Sequence, residues 1–145
     1  PERAGAPMKA FARISDKQIS TYAPVVNPDV VIVIDPTLLN SVDVTEGLLD
    51  NGILLVNTSS TPEEIKKKIK FNGKCMTVDA TKISLEAVGK NLPNTPMIGA
   101  LIKATNCIEL KDIEDSIKQK FLKKLGELKT QATIDAVRKA HDEVQ

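Results

Sequence analysis

Three short polar groups each follow an apolar run, and these are the places where the chain could do chemistry. They are Asp35-Pro36-Thr37, Asn57-Thr58-Ser59-Ser60 and Asp79-Ala80-Thr81. In an open parallel sheet, ligands bind beyond the carboxyl ends of the strands, and dinucleotide folds hold a ribose there with a carboxylate. The same residues have a second reading. Asp35, Ser60 or Thr61, and Asp79 are good helix N-caps, whose side-chain oxygens would satisfy loop and first-turn amides. A nucleophile–base set cannot be assembled around them, because the single histidine, His141, lies in the last helical stretch. The seven glycines form neither a GxG pair nor a Walker phosphate loop.

Other reactive types are sparse. Cys75 and Cys107 are far apart and are read as small core hydrophobes in a reducing compartment. With one histidine beside them, they are too few for a zinc or iron–sulfur site. Lys66-Lys67-Lys68, Lys70 and Lys74 make a basic run with Phe71 as the one interleaved aromatic. It reads either as a solvated helix face or as a dock for an acidic partner. Arg3-Ala4-Gly5 offers a guanidinium beside a residue that lets backbone approach closely, a weak phosphate-gripping feature in a terminal segment.

Composition bounds these readings. Hydrophobic residues are 41% and charged residues 27% of 145, enough for a folded core and ordinary for a globular domain. Three Phe, one Tyr and no Trp mean that this core is aliphatic. A net charge of +1 argues against a dedicated nucleic-acid-binding domain. No apolar run reaches membrane-spanning length, so no membrane partner is expected, and no signal peptide is visible, which fits a cytoplasmic setting.

The elements that must position the polar groups alternate. Asp29 to Ile34 reads DVVIVI, a β-branched run suited to a strand buried on both faces; Ile53 to Asn57 and Cys75 to Asp79 repeat it. Helices are expected between them. One spans Ser41 to Leu49; a second opens at Thr61-Pro62-Glu63-Glu64, where Thr61 caps, Pro62 suits the first position and Glu64 completes a capping box. Ile65 and Ile69 would face the sheet, and Asn72-Gly73 would end that helix. Strand and helix at this spacing mean βαβ units and a parallel sheet. Ahead of them, Met8 to Ile14 alternates and Gln18 to Tyr22 returns, which predicts an antiparallel hairpin. Behind them the chain is helical: Thr81 to Val88; a helix opened by Thr95-Pro96 with a small-residue flank of Gly99, Ala100 and Ala104; and two terminal stripes, Leu110-Ile113-Ile117-Phe121 and Leu128-Ala132-Ala136-Ala140-Val144.

Several segments together resemble the gamma subunit of the 2-oxoacid:ferredoxin oxidoreductases, the pyruvate synthase family. Pro1-Glu2-Arg3-Ala4-Gly5-Ala6-Pro7-Met8-Lys9-Ala10-Phe11 resembles its PER-x-GAP-x-x-AF segment, and Asn27 to Asp35 its NPDVVVVxD strand. Gly52 to Thr58 and Val78 to Thr81 are similar to family segments too, and Asn94 to Leu101 is similar to the distinctive NTPMLGAL. The resemblance implies an oxidative decarboxylation of a 2-oxoacid with coenzyme A, giving acyl-CoA, CO2 and reduced ferredoxin. It implies thiamine diphosphate and magnesium on alpha and beta subunits, iron–sulfur clusters on other chains such as a ferredoxin-like delta subunit, and ferredoxin as acceptor. It also points to Arg3, with Gly5 giving close backbone approach, as coenzyme A contacts; Glu2 stands where relatives carry a second basic residue. Family members begin with a strand and a glycine-rich turn of the GRxGQG kind upstream of the PER segment, which the printed sequence does not contain. A sheet without that strand would leave apolar edges for another chain to cover.

The expected architecture is therefore α/β: a Rossmann-like, mainly parallel sheet with an N-terminal antiparallel hairpin and a helical C-terminal part. Residues 1–145 form a single gamma-subunit-type domain, expected to lack its N-terminal strand and glycine-rich turn. The expected role is assembly and shaping of a coenzyme A channel, with no catalytic residue on this chain. The alternatives are a stand-alone nucleotide- or coenzyme A-binding module and a purely structural subunit.

Overall fold

The computed structural model describes residues 7–145. Its sheet has three strands, β1 (Val30–Val33), β2 (Ile53–Asn57) and β3 (Lys74–Val78), all parallel and in the order β1-β2-β3. Val30 sits opposite Ile53 and Val33 opposite Val56; Ile53 pairs with Lys74 and Asn57 with Val78. The far side of β3 is covered by a short antiparallel exchange, in which Thr77 and Gln145 trade backbone hydrogen bonds of 3.1 and 3.0 Å.

Both faces of β2 are covered, as its continuous apolar run requires, but the expectation that β1 is buried on both faces is not met: on this edge strand Val33 is buried while Ile32, on the opposite face, is exposed. Leu54, Val56 and Cys75 pack with Val33, Leu39 and Ile65 on one face. Ile65 comes from α1 (Pro62–Ile69), and Leu39 from a single 3-10 turn at Pro36–Asn40. On the other face Leu55 and Val78 meet Ile83, Met97, Ala100, Ala136 and Ala140. These belong to α2 (Ala80–Val88), α3 (Asn94–Thr105) and α4 (Leu110–Glu143). Leu54, Leu55 and Val56 are fully buried, each contributing on the order of 1.5–3 kcal/mol relative to exposure.

The small-residue flank of α3 is a close approach to α4. A Cβ built on Gly99 would lie 2.0 Å from the Val137 carbonyl oxygen, so no side chain fits there. The two terminal stripes are two arms of α4, broken at Gly126, whose φ of 78° favours glycine. The arms fold back on each other. Ile117 of the first packs with Ile134 and Val137 of the second, flanked by Leu110, Ile113 and Phe121. Arg138 donates two hydrogen bonds to the buried Glu114, one of 2.7 Å from Nη2 to Oε2. Those hydrogen bonds hold the Glu114 carboxyl below the usual carboxylate range. Lys139 reaches Glu86 at 2.7 Å and ties α4 to α2.

Four further expectations need correction. The N-terminal hairpin is not formed as a backbone ladder, since no strand occurs between residues 7 and 29. The chain does double back there, through the Arg13 guanidinium, which donates to the carbonyls of Ala23 at 2.7 Å and Pro24 at 3.2 Å. An alternating pattern is held by the surface it packs on, and Met8, Phe11, Ile14, Ile19 and Tyr22 all stay exposed. The helix expected over Ser41 to Leu49 is replaced by a run of turns that follows the 3-10 turn at Pro36–Asn40. Asp43 Oδ1 accepts from the Thr45 amide at 2.9 Å and its hydroxyl at 2.7 Å, a local alternative to helical bonding among β-branched neighbours. α1 ends at Ile69, before Asn72-Gly73, because Lys70 takes the left-handed conformation with φ 55°. Cys75 is buried as expected, but Cys107 is exposed just beyond the end of α3.

The α3–α4 contact gives a direct test. Gly99→Ala forces the two helices apart, and urea unfolding should show a loss of about 1–3 kcal/mol. An unchanged urea midpoint would contradict the close approach.

Candidate functional site

The carboxyl ends of the three strands bring the sequence-predicted groups together, and one side chain organises them. Asn57, the last residue of β2, is buried. Its Nδ2 donates to the Ile34 carbonyl at 2.8 Å and to Thr81 Oγ1 at 2.9 Å. Its Oδ1 accepts from the Thr81 amide at 3.2 Å. One amide thus fastens the end of β1, the end of β2 and the start of α2. Just beyond it, the Thr58 amide donates to the Val78 carbonyl at 2.9 Å, joining the exits of β2 and β3.

The flanking polar residues act as caps. Asp35 Oδ1 accepts from the Thr37 hydroxyl at 2.7 Å and the Thr37 amide at 2.9 Å, and these hydrogen bonds lower its carboxyl pKa. Thr61 Oγ1 accepts from the Glu64 amide at 3.3 Å while Glu64 Oε2 accepts from the Thr61 amide at 2.8 Å, a complete capping box. Asp79 Oδ1 accepts from the Lys82 amide at 2.9 Å at the start of α2. Of the two readings open at these positions, the structure realises the capping one for Asp35, Thr61 and Asp79. Ser60 caps nothing; its amide donates to Thr58 Oγ1 at 3.1 Å.

The remaining candidates stay apart from this edge. Burial pushes the Cys75 thiol up to about 11, so it stays protonated and unreactive at neutral pH. His141 Nδ1 lies 3.0 Å from Asp142 Oδ1 in the last turn of α4. Lys66, Lys67, Lys68, Lys70 and Lys74 cluster where α1 ends and β3 begins, opposite the capped edge. Among the described residues none of the five has an ion-pair partner, and the three in the last turn of α1 complement its dipole. Arg3 and Gly5 lie outside the described residues. A concavity of about 490 Å3 is lined by Phe11, Arg13, Ile19, Tyr22 and Pro24 and shares no residue with the strand ends. No described helix is long and apolar enough to cross a membrane.

Sequence reasoning placed Asn57 at the site but missed its clamp, which an asparagine closing an apolar strand does signal: a buried amide must find partners. It missed the Glu114–Arg138 pair because nothing in spacing alone says that α4 folds back.

The family model described as pyruvate ferredoxin/flavodoxin oxidoreductase matches residues 1–143. A Thermotoga maritima protein named pyruvate synthase subunit PorC is 47% identical over 144 residues, covering 99% of this chain and 74% of the relative. A Thermococcus kodakarensis protein named pyruvate/ketoisovalerate oxidoreductases common subunit gamma is 46% identical over 139 residues, covering 95% of this chain and 75% of the relative. The crystal structure of a Thermotoga maritima pyruvate oxidoreductase subunit PORC superposes with a TM-score of 0.77 at 45% identity, covering 83% of this chain and 66% of that one.

The clamp is testable by charge. Asn57→Asp keeps the shape but, when ionised, cannot donate to the Ile34 carbonyl, so the folded state favours its protonated form and raises its pKa. A group with a raised folded pKa stabilises below its unfolded value of about 4 and loses that contribution as pH rises. Denaturation of Asn57→Asp should therefore show a smaller deficit from wild type at pH 4.5 than at pH 7.5, of about 1–3 kcal/mol at the higher pH. A pH-independent deficit would contradict the assigned hydrogen bonds.

Proposed function

The chain belongs to the pyruvate ferredoxin/flavodoxin oxidoreductase family, and from that premise we propose that it is the gamma subunit of a 2-oxoacid:ferredoxin oxidoreductase, with pyruvate as first-choice substrate. The observation that carries this reading is the in-order match of residues 1–143, joined to identities of 44–47% with proteins named as gamma or PorC subunits. In this reading the assembly converts a 2-oxoacid and coenzyme A to acyl-CoA and CO2 and passes two electrons to ferredoxin. Residues 1–145 act in it as one unit, in the cytoplasm.

The division of labour follows from the donor set. A [2Fe–2S] or [4Fe–4S] cluster takes four cysteine thiolates. This chain has two cysteines, one buried with its thiol protonated and one exposed. These residues do not fit a cluster, and the reading puts iron–sulfur centres on a ferredoxin-like delta subunit. Thiamine diphosphate and magnesium belong, in the same reading, to the alpha and beta subunits. The Thermococcus relative's name, a subunit common to pyruvate and ketoisovalerate oxidoreductases, supports placing 2-oxoacid selectivity outside the gamma chain.

What this chain contributes is a wall and a phosphate contact. The Asn57 clamp and three caps join the strand-end edge through hydrogen bonds. Arg3 would grip a coenzyme A phosphate through paired guanidinium hydrogen bonds, with Gly5 letting backbone amides approach. In the assembled enzyme, Arg3→Ala should raise KM for coenzyme A about tenfold and leave KM for the 2-oxoacid unchanged. If neither KM moves, Arg3 does not contact coenzyme A and the subunit serves assembly alone.

A further inference from the structure

The turn of the α4 hairpin carries apolar surface that the chain itself does not cover. Leu122 and Leu125 are one turn apart on the first arm and are 48% and 44% exposed. Leu128, just past Gly126, is 88% exposed. The seam between the arms ends below them, at Phe121 with Ile117, Ile134 and Val137. Around the leucines the charge is one-sided. Lys118, Lys120, Lys123, Lys124 and Lys129 have one acid among them in that stretch, Glu127, with Glu114 a turn back from Lys118, in a chain whose net charge is only +1. All five lysines are exposed, and among the described residues none is in an ion pair. A solvated helix end explains the lysines but not three leucines at a turn, where polar residues are the rule.

We propose that this tip, Leu122, Leu125 and Leu128 within their ring of lysines, docks into an apolar socket rimmed by aspartate and glutamate on another protein subunit. The inference rests on the reading of the chain as a subunit of a larger assembly. Charge complementarity selects this occupant. A second copy of the same tip would bring ten lysines together at a cost in repulsion. A membrane surface suits a helix lying flat with a long apolar face, whereas the first arm's apolar stripe packs against Ile134 and Val137 and the second arm's Ala136, Ala140 and Val144 pack with α2, α3 and the sheet. An apolar centre within a charged rim is the ordinary anatomy of a specific protein interface.

The test uses the co-expressed complex purified through another subunit. Zero-length carbodiimide cross-linking with peptide mass spectrometry should join Lys123, Lys124 or Lys129 to an acidic residue of a different chain. Leu122→Glu with Leu128→Glu, both at exposed positions, should leave the circular-dichroism melt unchanged and weaken subunit association about tenfold or more. Lys123→Glu with Lys124→Glu should weaken it too, increasingly as salt is lowered. If the wild-type complex assembles and both double variants assemble with wild-type affinity, the tip proposal is overturned and the subunit reading stands. If no other subunit accompanies the wild-type chain, both fall. A tip-dependent homodimer in native mass spectrometry, or tip-dependent sedimentation with phosphatidylglycerol vesicles, would overturn the proposal in favour of those occupants.

Discussion

Leu54, Leu55 and Val56 are consecutive and all fully buried, and because alternate side chains leave a strand on opposite faces, β2 demands cover on both sides. The remaining elements answer that demand. α1 and the 3-10 turn at Pro36–Asn40 cover one face; α2, α3 and the second arm of α4 cover the other. The alanines and Gly99 on the second face set the spacing: Ala100, Ala136 and Ala140 keep the helices thin, and Gly99 lets α3 touch the backbone of α4. An aliphatic core with almost no aromatics follows from this geometry, since large rings would hold these layers apart.

The end of the same strand sets the site. β2 leaves the core through Asn57, a polar group that cannot stay buried unpaired. Its three hydrogen bonds make the edge a fixed structure in which Asp35, Thr61 and Asp79 are committed to helix starts. A ligand edge in this fold is often mobile and chemically armed. Here the side chains of Asn57, Asp35, Thr61 and Asp79 are taken up by backbone groups and helix starts. The charged and apolar features left over, the lysines at the exit of α1 and the tip of α4, lie away from that edge and face outward.

Much of this was legible in the sequence because it depends on short-range rules. β-branched runs marked all three strands within about a residue. Thr61-Pro62-Glu63-Glu64 specified its capping box to the atom, since both partners are three residues apart. The two terminal stripes read from apolar spacing are the two arms of α4, and the structure breaks them at Gly126. The misses are long-range or depend on a missing surface. Met8 to Tyr22 alternates, yet alternation specifies a ladder only where one face is buried. The Val42–Val44–Thr45 stretch had helical length but lost to the Asp43 side chain. Cys107 looked like core by residue type, and its exposure depends on where α3 stops. The Asn57 clamp and the Glu114–Arg138 pair join residues more than twenty positions apart, beyond what periodicity reports.

The central claim is that this chain works as one member of an enzyme assembly whose reactive groups sit on its neighbours. Native mass spectrometry after affinity capture from the source cell tests it most directly. The account predicts that a thiamine diphosphate-binding chain pair and an iron–sulfur chain accompany this one in near-equal amounts. Capture of the chain alone, or with proteins carrying neither group, would contradict it.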